Sequence, residues 1–456
     1  MAGIGFELRH MSRSESYWGL LRAYAYAGAI GSGPWVLSIL AVLILGFLSI
    51  GVVIPPRLIN QFQVTVTWLI ACSLIYTGSA QLGYTRYIAD RLFQREQKSV
   101  VPTLNALLLV ILAPGFGLGI AAIWLLVPDT SLSYRLILLT TFLVLSAVWL
   151  LTVLLSGLKR YRGLLLLYAL GYGSALGLGL SLRFLDLNGL LLGFLLGQFL
   201  LLTGMMMLVW REYPSIRLFD FDFLGRRHIR PWLLAAGMFF NLGVWADKFL
   251  FWLWPPTSRA IIGHLRASII YDTPIFLAYF TIIPGMAVFL LRMETDFAHA
   301  YERYYEAVRS GGALSTLRDY RVEMVRAARK GLYDIIKVQG VTLFFVIALG
   351  PRLLKVFGLT SLYAPLLNID SIGVALQVLL MAALNILFYL DRLRAAALIT
   401  ILLFVSNFAL SALTLYLGPF YFGYGFAGAM LIAALAALAV TDRVLDRLNY
   451  ETFMLH

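Results

Sequence analysis

An all-α integral membrane protein with about twelve transmembrane helices is the fold class that the sequence predicts. Three observations carry it. Hydrophobic residues fill 61% of the 456 positions and charged residues 13%, against about 25% charged in an ordinary soluble domain. The apolar residues form twelve continuous runs, not alternating ones, which selects spanning helices over a membrane β-barrel. Lys and Arg lie predominantly on one side of those runs. At about 20–25 residues per span, the runs use about 240–300 residues and leave short loops and one longer insertion. The mean hydropathy of +0.85 excludes a disordered chain. It also leaves too little polar surface for a soluble enzyme, which at this length would need two or three domains.

The runs place spans at 20–50, 63–86, 103–127, 134–158, 164–184, 188–210, 231–255, 268–292, 333–350, 366–390, 395–417 and 422–441. With the amino terminus in the cytoplasm, 28 of the 36 Lys and Arg fall in cytoplasmic segments or at cytoplasmic span ends and 7 on the outside, and Lys248 alone lies well within a span. This bias orients the chain with both termini inside. It also accounts for the net charge of +13 without nucleic acid, whose base-reading motifs are absent. Cys72 is the single cysteine, so the fold has no disulfide framework and no thiolate metal site.

Residues 1–19 are charged and lack the apolar core and cleavage site of a signal peptide. Ile4, Leu8 and Met11 recur at helical spacing, as in an interfacial helix. The first run, about 45 Å as helix, exceeds a hydrocarbon core of about 30 Å. It contains Gly28-Ala29-Ile30-Gly31-Ser32-Gly33-Pro34-Trp35. Pro34 removes a backbone donor, and glycines such as Gly31 and Gly33 make bending cheap. A broken first helix is therefore expected, either as a packing kink or as a cavity-lining hinge. Gly189, Gly193 and Gly197, and separately Gly173 and Gly177, have the four-residue spacing of closely packed helices. The polar, basic connector 212–230 divides the chain into an amino-terminal six-helix lobe, 20–211, and a carboxy-terminal one, 231–456. Residues 293–332 read as a cytoplasmic helical hairpin turning at Gly311-Gly312. Phe297, Tyr301, Tyr305 and Val308 would share one of its faces, leaving it either a solvated extension or a docking surface.

Several chemistries are missing. There is no phosphate loop and no G-x-S-x-G elbow. All five histidines fall in loops or termini, which argues against an intramembrane His base or a zinc site. No tight carboxylate pair suits a sugar-nucleotide transferase. Nothing calls for a cofactor, and the chain reads as a non-enzyme. Ionisable groups within spans are functional candidates because charge is costly there. Asp247 lies about 24 Å along span seven, with Lys248 beside it and Asn241 deeper. Asp272 lies at similar depth on span eight. These groups read either as a Lys248–Asp272 structural pair or as the lining of a polar path. Tyr24, Trp35, Trp245 and Tyr271 lie near the expected hinge and the polar spot. Aromatic rings there could face the apolar faces of sugar rings, or simply pack or sit at the interface.

Two regions carry a resemblance. Met238 to Lys248 resembles the seventh-helix pattern of the multidrug/oligosaccharidyl-lipid/polysaccharide exporter superfamily, with Asn241 ahead of the pair Asp247-Lys248. Tyr271 to Pro284 is similar to that superfamily's eighth helix, with Pro284 as its late proline. The amino terminus is more specific. Met1-Ala2-Gly3-Ile4-Gly5-Phe6-Glu7-Leu8-Arg9, Leu21-Arg22-Ala23-Tyr24-Ala25-Tyr26 and Ser32-Gly33-Pro34-Trp35 resemble the PelG family of inner-membrane transporters of the Pel exopolysaccharide system. The likeness covers essentially the whole chain.

The resemblance implies two six-helix lobes around a central cavity and outward movement of a polymer rich in N-acetylated amino sugars. It also implies work beside a cytoplasmic glycosyltransferase and other Pel inner-membrane proteins. It supplies no catalytic motif. On this reading Gly31, Gly33 and Pro34 form a hinge, and Tyr24, Trp35, Asn241, Trp245, Asp247, Lys248 and Asp272 line a substrate path. Alternating access and a continuous tunnel fed by a synthase remain open. So do a lipid-linked oligosaccharide or small-molecule exporter of the same superfamily and a non-transporting scaffold.

Overall fold

The structure is a computed structural model that describes residues 57–158, 160–356 and 360–454, with Tyr24, Ala27, Gly28, Ser38, Val42, Ile44, Leu48 and Pro55. Among these residues, eleven helices are long and apolar enough to cross a membrane, and each matches one of the spans expected after the first. Of the first expected span, 20–50, seven positions are described and all are helical. The interfacial helix within 1–19, the hinge residues Gly31, Gly33 and Pro34, and Trp35 lie outside the described residues.

Packing divides the chain into two compact units. The amino-terminal unit takes the described residues from Ser38 to Ile269. The carboxy-terminal unit takes those from Ile270 onward with Tyr24, Ala27 and Gly28. The division falls one span later than the connector at 212–230.

The amino-terminal unit comprises α1 (Arg57–Phe93), α2 (Val100–Leu126), α3 (Leu132–Gly157), α4 (Tyr161–Ser181), α5 (Asp186–Glu212) and α6 (Pro231–Leu253). A hairpin of β1 (Arg259–Ile262) and β2 (Leu265–Ala267) follows. Helix α1 is the axis, packed on α3 and α6. Water is absent from the bilayer core, so polar side chains find partners between helices. Thr65 and Tyr134 share a hydroxyl bond of 2.9 Å, Trp149 Nε1 donates to Ser73 Oγ at 2.9 Å, and Thr152 and Tyr168 meet at 2.7 Å. By contrast α2 exposes Phe116, Leu118, Trp124 and Leu125, as a helix bordering lipid does.

Small residues join α4 to α5, but in a different register on α4 from the one expected. A Cβ on Gly197 would lie 2.5 Å from the Gly171 carbonyl oxygen and 2.7 Å from Ala175 Cα. Gly193 meets Gly179 in the same way. Gly173 and Gly177, with nothing within 4 Å of an added Cβ, face away from this contact. Positions 171, 175 and 179 form the small-residue stripe on α4, and its middle member is alanine. At the basic end of this pair, Arg160 ion-pairs with Glu212, and that carboxylate raises the guanidinium pKa.

The connector 212–230 is docked, not free. Arg91, at the end of α1, pairs with Asp222 and with Glu96 at 2.6 Å. Phe223 packs on Tyr84 and Tyr87, and Asn105 Nδ2 donates to the Leu218 carbonyl at 3.0 Å. The β-hairpin occupies the stretch between the seventh and eighth spans. Gly263 turns it at φ +54° and lies too close to the Leu126 carbonyl for a side chain.

The carboxy-terminal unit comprises α7 (Ile269–Tyr279), α8 (Ile282–Leu291), a π-turn at 292–297, α9 (Ala298–Arg309), α10 (Leu314–Val356), α11 (Ala364–Tyr389), α12 (Leu393–Leu417) and α13 (Tyr424–Met454). The expected hairpin is present as α9 and the start of α10, turning at Gly311 with φ +70°. Its buried line on α9 is Phe297, Ala300, Tyr304 and Ala307. Tyr301, Tyr305 and Val308 are half-buried on the flank. Arg303 pairs with Glu323 at 2.8 Å across the hairpin.

Candidate functional site

In the amino-terminal unit, α6 carries four of the expected path residues. Its backbone meets α1 at a glycine crossing, where a Cβ on Gly78 would lie 2.9 Å from the Gly237 carbonyl. Asn241 sits one turn further along and donates from Nδ2 to the Gly237 carbonyl at 3.1 Å. Its Nδ2 would be 2.6 Å from a Cβ on Gly78. The bare α-carbon of Gly78 therefore makes room for the amide as well as for the crossing.

Beyond Asn241, α6 turns aromatic. Trp68 of α1 meets Trp252 at 5.0 Å and Phe249 at 5.3 Å between ring centroids, and Trp245 meets Trp252 at 6.1 Å. Trp68 Nε1 donates to the Arg266 carbonyl at 2.8 Å, and the Arg266 guanidinium holds Ser258. The β-hairpin thus clamps the α1–α6 pair at the carboxy-terminal end of α6. Trp245 is 5% exposed, yet its indole Nε1 has no hydrogen-bond partner among the described residues. A buried donor left so costs about 1–3 kcal/mol.

Asp247 and Lys248 are 0% and 1% exposed. Lys248 Nζ lies 3.0 Å from Asp247 Oδ2 and 3.2 Å from Oδ1, and donates to the Val244 carbonyl at 2.9 Å. Adjacent helix positions do not face one another, but the lysine's long stem curls back to reach its neighbour. The structure therefore engages Lys248 with Asp247. Asp272 is half-buried on α7 in the other unit, and Tyr24 is half-buried in that unit as well.

In the carboxy-terminal unit the eighth span is broken. Pro284 has no N–H for the Phe280 carbonyl, and the helix stops at Tyr279 and resumes at Ile282. At membrane depth such a break needs protein donors. Gln339 of α10 supplies one, from Nε2 to the Thr281 carbonyl at 3.2 Å. Gly285 leaves space for that amide. At the end of the span, Arg292 pairs with Asp296 at 2.8 Å and with Asp334 of α10 at 2.9 Å. Helix α10 thus braces the broken span at two points, and Gly28 lies against Ile283 and Ala287 of α8.

Other polar groups deep in this unit were missed by the sequence reading. Asp370 and Gln377 on α11, and Asn407 with Ser411 on α12, are essentially buried. Ser411 donates to Asn407 Oδ1 at 2.9 Å, and Gln377 Oε1 has no partner among the described residues. The available signal was simple: Asp370 is a lone acid inside an apolar run. Among the described residues, no three His, Cys, Asp or Glu are grouped to hold a metal.

Eleven apolar spans, a broken helix braced by an amide and a buried ion pair define a multi-pass membrane protein with transporter architecture. The fold is that of the MATE transporters. The chain aligns with an outward-facing multidrug resistance MATE family transporter of the MOP superfamily at TM-score 0.68 and 13% identity, covering 94% of this chain and 97% of that one. It aligns with a MATE protein in the straight conformation at 0.63 and 14%, covering 95% and 97%. For a MOP superfamily transporter from Pyrococcus furiosus the values are 0.61 and 13%, covering 93% and 95%. No curated protein matches the sequence. The chain belongs to the PelG exopolysaccharide exporter (EPS-E) family, whose model matches residues 1–453. Family and fold are those of transporters, not of enzymes.

Proposed function

We propose that this protein moves an amino-sugar-rich exopolysaccharide of the Pel type across a bacterial inner membrane, out of the cytoplasm, as a cytoplasmic glycosyltransferase delivers it. The family match over nearly the whole chain carries the reading. The charge bias of 28 to 7 supports cytoplasmic termini. Other Pel inner-membrane proteins are the proposed neighbours.

The path residues proposed are Tyr24, Trp35, Asn241, Trp245, Asp247, Lys248 and Asp272, with the bend of the first helix at Gly31, Gly33 and Pro34. Trp245 is the best suited of them to a sugar. Its ring matches an apolar sugar face, and its unpartnered Nε1–H would gain a hydroxyl acceptor. The pair Asp247–Lys248 offers fixed charges that cancel, which suits a weakly charged polymer sliding past.

The test is deletion of the gene, complemented by wild type or by Trp245→Phe at matched protein level. Secreted polymer, cytoplasmic polymer and synthase activity in membrane extracts are assayed separately. The expected result is lost secretion with synthase activity intact, and reduced secretion with Trp245→Phe. Lost synthase activity would make the protein an assembly scaffold. Normal secretion in the deletion would end the polysaccharide reading.

A further inference from the structure

Helix α10 leaves the membrane without changing which face it shows. Within the ninth span its uncovered side carries Val341, Phe344 and Ile347, which are 58%, 67% and 51% exposed. Helical periodicity continues that side through Lys337 and Tyr333 to Lys330, Arg329 and Arg326, all of them exposed. The stripe therefore passes from hydrocarbon-facing residues into cations with no intervening turn or cover.

Those cations border an open groove of roughly 600 Å³, floored by Val322, Val325 and Tyr333, with no carboxylate lining it among the described residues. Two of its four cations are held in place by α13. Arg321 donates to the Leu445 carbonyl at 3.0 Å, and Arg329 pairs with Asp442 at 2.8 Å. The acids Glu323 and Asp334 on α10 are taken up elsewhere, by Arg303 and Arg292. Arg326 and Lys330 make no ion pair among the described residues. Lys337 rests its ammonium 4.2 Å from the centre of the Tyr333 ring, an arrangement suited to a membrane interface.

We propose that this groove binds the headgroup of an anionic phospholipid in the leaflet on the basic side of the protein. With the apolar stretch starting near Tyr333, Lys330, Arg329 and Arg326 lie about 4–11 Å beyond it along the helix. That overlaps the headgroup layer of about 5–8 Å, and flexible basic side chains bridge the remainder. Arg326 and Lys330 supply the unspent charge, Arg329 is held in position, and the lipid's acyl chains run along Phe344 and Ile347. The proposal rests only on the chain being embedded in a membrane, so its failure leaves the transport reading untouched, and the reverse also holds.

The test uses the full chain, purified and delipidated in neutral detergent. Phosphatidylglycerol or phosphatidylcholine is titrated in, and the lipid-bound fraction is read by native mass spectrometry. Each cation near an anionic surface is worth about fivefold in binding. Arg326→Gln with Lys330→Gln should therefore weaken phosphatidylglycerol binding about 25-fold and leave phosphatidylcholine unchanged. Arg326→Lys with Lys330→Arg should retain binding and so control for folding. Arg226→Gln with Arg227→Gln, which removes the same charge from the connector, should have no effect. Equal binding of the two lipids, or an unchanged double Gln variant, would overturn the proposal. Displacement by glycerol 3-phosphate at equal concentration would overturn it in favour of a soluble phosphate ligand.

Discussion

The ion pair on α6 offers a test that separates buried charge from packing. Lys248 Nζ lies within 3.2 Å of both Asp247 oxygens and of the Val244 carbonyl. Both side chains are essentially unexposed. Lys248→Met keeps the stem volume and removes the ammonium that lies 3.0 Å from Asp247 Oδ2. Asp247→Leu leaves an ammonium with an apolar neighbour in place of its counter-ion. Breaking a buried pair by removing one partner costs about 3–5 kcal/mol, whereas replacing both with apolar groups is often neutral or stabilising. Each single variant should therefore shift the unfolding equilibrium by about two to four decades, and the double variant should recover most of it. The coupling energy from the cycle, the double effect minus the two single effects, should then be at least about 5 kcal/mol in magnitude, above the usual range of about 0.5–3 kcal/mol for contacting residues. Denaturant titration in mixed micelles, followed by tryptophan fluorescence, reads all four proteins. Additive single effects would show that Asp247 and Lys248 do not depend on one another, and would refute the reasoning. Full stability of the double variant with lost polymer secretion would place the charges in transport and not in folding.

Other outcomes follow from close contacts. Gly197→Ala should lower stability by about 1–3 kcal/mol through overpacking against Gly171 and Ala175. Gly173→Ala and Gly177→Ala, on the open side of the same helix, should raise it by up to about 1 kcal/mol each; thermal melts in detergent distinguish the two classes. Gln339→Ala removes the donor to the Thr281 carbonyl and should cost about 1–3 kcal/mol, with faster hydrogen exchange confined to 278–285. Arg91→Ala should release the connector from α1, seen as new proteolytic cleavage within 214–230 at unchanged melting temperature.

Span positions were legible because hydrocarbon imposes one rule on every residue of a run, and eleven runs reappear as helices. Facing was less legible. The spacing of Gly173 and Gly177 is as good as that of Gly171 and Gly179, and only the partner helix decides which pair is used. The break in the eighth span could be read at Pro284, but not its brace, since Gln339 lies 58 residues from Thr281. The contact between Asp247 and Lys248 was hidden in a similar way. An i, i+1 contact at Asp247–Lys248 looks unfavourable from helical geometry alone, and the lysine stem overrides it. Asp370 was legible as the one acid within the run 366–390, but no neighbouring residue in the sequence marks it as part of a motif.

The clamp at the carboxy-terminal end of α6 has a consequence for synthesis. Trp68 and its acceptor at Arg266 are 198 residues apart. At about 5–20 residues per second, the ribosome needs about 10–40 s to deliver the second after the first. Throughout that interval the glycine face of α1, with Gly78 at its centre, has no α6 to close on. A chain stopped after Glu212 would hold five of the unit's six complete helices and still leave that face open to lipid or to passing helices. The unit that packs together is therefore not the six-span half marked by the connector but a stretch reaching through the hairpin. An insertion chaperone that shields α1 would matter most during those seconds.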